Sequence, residues 1–205
     1  REAREMTQAY SACTTYMDAQ VGRVLDALDR LKLWDHTVVL LIGDHGYHLG
    51  EHDWWSKFTL FEMCARTPLV VWAPGTWGAG QPAKGLVEFV DIYPTLADLC
   101  GLTPPSGLAG KSFRSLLEDP ARPGKAAAFT QTNRGMNQDG RSVRTDRWRY
   151  TEWDGGKEGV ELYDHTTDPL EYHNLAGQAD TAAIQKELRA LLESGRASSS
   201  AGDAP

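Results

Sequence analysis

The sequence predicts an α/β fold: a sheet flanked by helices, followed by a small antiparallel sheet with a helix of its own. Three observations carry this. Apolar residues recur every three or four positions from Met6 to Leu31, the period of a helix packed along one face. Two short apolar runs, Thr37–Ile42 and Pro68–Gly75, have the unbroken composition of strands covered on both faces. Beyond residue 120, strand-like runs pair around tight turns, as in antiparallel sheets.

The elements follow in order. Met6, Tyr10, Cys13, Met17, Val21, Val24, Leu28 and Leu31 define a helix of roughly 45 Å. After Trp34-Asp35-His36 comes the first strand, Thr37–Ile42, and then a strongly polar loop. Thr59–Ala65 reads as a short helix and Pro68–Gly75 as the second strand. Residues 75–85 form a surface turn, and Leu86–Val90 is extended. A helix then runs to its Gly101 stop with Asp91 as its cap. Helix and strand alternating in this rhythm predict parallel strands. A stretch rich in Pro and Gly, 104–123, surrounds a small helix at Ser112–Glu118. Strands follow at Ala126–Thr132, Ser142–Thr145, Trp148–Trp153 and Val160–Asp164, with Asp146-Arg147 turning the central hairpin. Thr181–Glu193 is an amphipathic helix, and the Ser/Ala/Gly-rich remainder reads as a flexible tail. This divides the chain into residues 1–120, an α/β part; 121–195, an antiparallel subdomain with a helix; and 196–205, a tail.

Composition narrows the function classes. With 41% hydrophobic and 24% charged residues among 205, the chain has ordinary globular composition. A net charge of -7 argues against nucleic acid as a partner, since such proteins need basic surfaces. No run approaches the roughly 18 apolar residues of a membrane span. Cys13, Cys64 and Cys100 are few and far apart, which suggests buried thiols more than a disulfide framework. The start shows no signal-peptide pattern and no initiator Met, and the compartment stays open.

The chemistry concentrates in GDHGYHLGEHDWWSK, Gly43–Lys57. Ligands in open α/β sheets sit beyond the carboxyl ends of strands. Asp44 and His45 fall one step past Ile42, flanked by Gly43 and Gly46, which would let the backbone turn both side chains toward one point. A carboxylate with an imidazole suits a divalent ion. The competing reading is a turn-capping aspartate beside a satisfied core histidine. His45, His48 and His52 do not have a standard zinc spacing. Lys57, framed by Trp55 and Phe58, is either a desolvated anion partner or a lysine whose stem covers apolar surface. Arg134, Arg141, Arg144, Arg147 and Arg149 crowd the second region; most fit solvated hairpin positions, and one or two could face an anion.

GDHGYHLGEHDWWSKFTLFE followed by RTPLVVWAPG closely resembles the sulfatases, of the branch that includes iduronate-2-sulfatase, within the alkaline phosphatase superfamily. YMDAQVGRVLDAL, VEFVDIYPTLADLCGL, RSVRTDRWRYTEW and ELYDHTTDPLEYHNLAG extend the resemblance over most of the chain. It implies an alkaline-phosphatase-like mixed sheet and hydrolysis of a sulfated sugar or small sulfate ester. Asp44 and His45 would supply half of a calcium site, with manganese or zinc as lesser alternatives. Lys57 would contact the sulfate, and His52 and Arg144 are candidate substrate contacts. The family nucleophile is a formylglycine made from Cys or Ser in a C/S-x-P-x-R motif. Cys13 stands in CTTYM, Cys64 in CARTP and Cys100 in CGLTP, and no serine version occurs. The expectation is therefore the C-terminal portion of a sulfatase, inactive alone, with the nucleophile region elsewhere. A phosphodiesterase or phosphonate monoester hydrolase of the same superfamily is the second reading, and a non-catalytic sulfatase-like module the third.

Overall fold

The computed structural model describes residues 1–76, 80–133 and 139–200, the last five of these in backbone only. The predicted turn at 75–85 and Arg134 fall partly or wholly outside the described residues, as does the end of the tail, 201–205.

Helix α1 (Glu2–Leu31) has Glu2 and Glu5 in its first turn, where they complement the helix dipole. It ends at Lys32, which takes the left-handed conformation at φ 56°. The Leu33 N–H then closes back on the Leu28 carbonyl at 3.0 Å, satisfying an end carbonyl that the helix cannot. The apolar stripe is as predicted, yet among the described residues none of α1 is buried.

Strand β1 (Val39–Ile42) pairs with β4 (Leu69–Trp72), Val39 opposite Trp72 and Ile42 opposite Leu69. The pairing is antiparallel, which corrects the predicted parallel arrangement. A parallel neighbour needs a crossover, usually a helix as long as the strand. The connection here holds a short ribbon, β2 (His48–Leu49) on β3 (Trp55–Ser56), and a single turn of helix, α2 (Glu62–Ala65), instead of the longer Thr59–Ala65 helix expected. The chain thus re-enters at the end it left. These strands are also less covered than predicted: Leu41, Ile42, Val70 and Trp72 are exposed. Trp34 packs edge-on against Trp72 with ring centres 5.4 Å apart, tying the end of α1 to β4.

The stretch expected to be extended makes one bridge, Leu86 with Lys125, and then a 3₁₀ turn leading into α3 (Ile92–Leu99). Asp91 does not cap α3 with its side chain. It is 1% exposed and accepts from the N–H groups of Glu88 and Lys111 and from the Lys125 ammonium at 2.7 Å. It therefore knits three separate segments. Helix α4 (Arg114–Glu118) follows.

The second half is a four-stranded antiparallel meander in simple order: β5 (Ala128–Asn133), β6 (Asp139–Arg144), β7 (Trp148–Trp153) and β8 (Gly159–Asp164). The Thr145 N–H bonded to the Trp148 carbonyl at 2.8 Å closes the predicted hairpin. Helix α5 (Ala182–Ser200) lies over the sheet and runs past Glu193 into residues expected to be a tail. Between them Ala127, Val143, Tyr150, Leu162, Leu188 and Leu192 form the buried core. Of the cysteines, all free, only Cys64 is buried.

Candidate functional site

The loop from Gly43 to Phe58 brings three of the predicted residues together. The His45 Nδ1–H donates to the Gly46 carbonyl at 2.8 Å, so the neutral ring carries its lone pair on Nε2. That Nε2 accepts from the Lys57 ammonium at 3.1 Å. Asp44 Oδ2 lies 3.2 Å from the same Nε2. A carboxylate oxygen and a bare imidazole nitrogen this close repel unless a cation sits with them. The Lys57 ammonium is one such cation, and the oxygen and nitrogen donors also fit a divalent metal. Asp44 and His45 are the residues that would hold it.

The backbone explains this convergence. Gly46 does not use a left-handed conformation; its role is close approach. A Cβ there would meet the Met63 carbonyl oxygen at 1.9 Å, and its N–H donates to the Cys64 carbonyl at 2.8 Å. Helix α2 therefore backs directly onto the Asp44–Gly46 corner. The loop beyond has positive φ at Gly50, His52, Asp53, Ser56 and Phe58. So many non-glycine residues in a sparsely allowed region within one short loop cost conformational energy, a pattern that concentrates at functional sites. The run places Lys57 over the Phe58 ring at 5.4 Å. His48 is fully buried, donating from Nδ1 to the Glu51 carbonyl and accepting from the Thr59 hydroxyl at 2.6 Å, which pins the loop from inside.

His52 and Arg144 are placed differently. The His52 ring is stacked between Phe61, 3.9 Å away and nearly parallel, and Tyr172 at 4.6 Å. Its buried Nε2 has no hydrogen-bond partner. Arg144 sits behind α2, 3.5 Å from the Glu62 carboxylate, with Nε and Nη1 out of solvent and without hydrogen bonds. Burial pulls its pKa down, against the attraction of Glu62.

Sequence reasoning missed a buried ionic cluster. Arg149, one of the five arginines of which most were expected to be solvated, is 2% exposed. Its guanidinium bridges Glu62 and Glu171. Glu171 also accepts from His165 Nε2 at 2.7 Å and from the Glu62 N–H at 2.6 Å. Burial raises the Glu171 pKa, but these donors outweigh it and hold the carboxylate below its usual range. Glu62, His165 and Glu171 bring potential ligand atoms within 4.8 Å of one another. Arg149 already bridges the two carboxylates, so this cluster differs from the Asp44–His45 pair, where the His45 Nε2 faces the Lys57 ammonium.

The α/β region closed by an antiparallel meander and helix shares the alkaline-phosphatase-like fold of its structural neighbours. The chain belongs to the sulfatase family: residues 50–198 match the profile of N-sulphoglucosamine sulphohydrolase, C-terminal. Lys57 falls inside that stretch and Asp44 and His45 just before it. The chain is 32% identical to an N-acetylglucosamine-6-O-sulfatase of Bacteroides thetaiotaomicron, covering 90% of this chain and 34% of the relative. It is 31% identical to iduronate 2-sulfatase of Homo sapiens, covering 84% and 44%. Among solved structures, an enzyme in complex with its substrate D-glucosamine-2-N,6-O-disulfate matches with a TM-score of 0.83 at 29% identity, over 91% of this chain and 39% of that one. The phosphonate monoester hydrolase of Agrobacterium radiobacter matches with a TM-score of 0.77 at 30% identity, over 88% and 39%. The chain thus spans less than half the length of these relatives. Among the described residues no helix is long and apolar enough to cross a membrane.

Proposed function

We propose that this chain forms part of a sulfatase acting on a sulfated sugar, in which Asp44 and His45 help hold a calcium ion and Lys57 engages the sulfate group. The observation that carries the reading is the meeting of Asp44 Oδ2, the bare His45 Nε2 and the Lys57 ammonium at one point. Calcium prefers roughly six to eight oxygen ligands, so further ligands would come from outside these residues; a nitrogen donor leaves room for manganese or zinc. A bound divalent ion would orient the sulfate oxygens and offset their charge. Lys57, half-buried against Phe58, would donate to the oxygen that gains charge as the ester breaks. None of the cysteines stands in C-x-P-x-R, so the formylglycine nucleophile would also lie outside this stretch. The division into residues 1–120, 121–195 and 196–205 belongs to the same proposal.

The decisive experiment assays the full natural protein on a sulfated glucosamine and on an aryl phosphonate monoester, with calcium present. The sulfatase reading expects the higher kcat/KM on sulfate, and in Lys57→Ala a loss of about 100- to 1000-fold in turnover. Preference for the phosphonate would favour the hydrolase reading suggested by the A. radiobacter relative. Near-normal turnover in Lys57→Ala would remove its role. The 205 residues alone should not turn over either substrate, because nucleophile and metal ligands act as a unit; repeated turnover by this chain would overturn that.

A further inference from the structure

The candidate site is braced from behind by groups of β7 and of the loop after β8. Glu171, 1% exposed and held at φ 63°, collects donors from Arg149 Nε, His165 Nε2 and the Glu62 N–H. The other face of Arg149 grips the Glu62 carboxylate. Glu62 opens α2, which is only four residues long. A single helical turn has no stability of its own and takes its position from what holds it. One and two residues on, α2 meets the site: Gly46 lies too close to Met63 to admit a side chain, and the Cys64 carbonyl accepts the Gly46 N–H. The Gly46 carbonyl in turn accepts the His45 Nδ1–H. From Glu171 to His45 the path is a continuous series of short polar contacts and one rigid turn.

We infer that the Arg149–Glu171 pair is a positioning element for His45. By pinning α2 it holds the Gly46 carbonyl where it keeps the proton on Nδ1 and leaves Nε2 bare toward Asp44 and Lys57. Partners behind a ligand imidazole fix its tautomer and orientation in this way, and losing one typically costs about 10- to 100-fold in metal affinity or activity. Here the partner of the ring is a backbone carbonyl, and the side chains that set that carbonyl come from β7 and the loop after β8. The kinetic part of the inference rests on the sulfatase reading; the part concerning the imidazole does not.

The test uses the full natural protein, labelled with ¹⁵N at histidine, as wild type, Glu171→Gln and Arg149→Lys. Glu171→Gln keeps the shape and weakens the pairing; Arg149→Lys keeps the charge and removes the fork that bridges Glu62 and Glu171. At about pH 8 wild type should give one sharp Nδ1–H signal for His45, identified by its disappearance in His45→Gln. In both variants that signal should broaden or split. On a sulfated sugar kcat should fall about tenfold or more, with KM held within about twofold. A purely structural pair would lower Tm alone. Unchanged His45 signals and unchanged kcat in folded variants would therefore overturn the inference. If wild type hydrolyses no sulfate ester, the functional reading fails while the His45 signal still decides this one. Should neither variant fold, Glu171→Asp carries the same readouts; and a wild-type His45 that exchanges rapidly between tautomers refutes the inference without any variant.

Discussion

Helix α1 and the sheet under α5 carry the same kind of signal in sequence and meet opposite fates in the structure. Met6, Tyr10, Met17, Val24 and Leu31 line one face of α1 and are 42–63% exposed. Val143, Leu162 and Leu188 are 0–2% exposed. Amphipathic spacing reports that an element has a face to cover; it does not report what covers it. For β5–β8 the cover lies close by in the sequence, as α5 and the neighbouring strands. For α1 and the β1–β4 pair, no described residue supplies an equivalent core. The candidate site lies between these regions. Tyr47 of its loop packs on Tyr10 of α1 at 5.2 Å, while Glu62 and His52 lean on Glu171 and Tyr172 of the C-terminal part.

The contrast can be broken or sharpened by measurement. The largest effect should come from Leu162→Ala, which opens a cavity at a fully buried position and should cost about 2–5 kcal/mol in urea unfolding. A cost below about 1 kcal/mol would mean the sheet is not the stable part of the chain. A medium effect should depend on pH. Arg147 donates to both oxygens of Asp164, and with Thr166 it holds that carboxyl well below the usual carboxylate range. A depressed folded value gives stabilisation that is fully present above the unfolded value of about 3.9 and is lost as pH falls through the folded one. Wild type should therefore lose stability steeply below about pH 4, and Arg147→Ala should lose it less steeply, read as urea midpoints from neutral to acid. Parallel curves would show that Arg147 does not set the Asp164 charge. The smallest effect should be Val24→Ala on the exposed stripe of α1, within about 0.5 kcal/mol. A loss comparable to Leu162→Ala would show that α1 is covered after all.

How much could be read from sequence follows the same division. Strand β7 falls on the expected residues, because Asp146-Arg147 marks a turn and the flanking runs are strand-like. The direction of β4 was not legible. An apolar β-branched run looks the same in either orientation, and only the connection from Gly43 to Pro68 decides it. Asp44, His45 and Lys57 could be singled out because ionisable groups crowd a strand end. Arg149 and Glu171 could not: they are 22 positions apart, and no local pattern links a strand arginine to a glutamate in the loop after β8. His52 stood out by crowding as well, yet its ring is sandwiched between aromatics, and no local pattern announces a stacking partner 120 positions away.

The meander order β5-β6-β7-β8 has a consequence for biosynthesis. Each strand pairs with the one made just before it, so this sheet can form as it leaves the ribosome, with little loop entropy to overcome. The apolar stripe of α1 leaves the ribosome earlier, and at about 5–20 residues per second it precedes the finished sheet by roughly ten seconds. During that interval nothing downstream can restrain α2 or the loop that ends at it. The segment bearing the Asp-His pair is thus made as an unsecured arm and captured only when Arg149 and Glu171 arrive. Stalling translation short of β7 should lengthen that window.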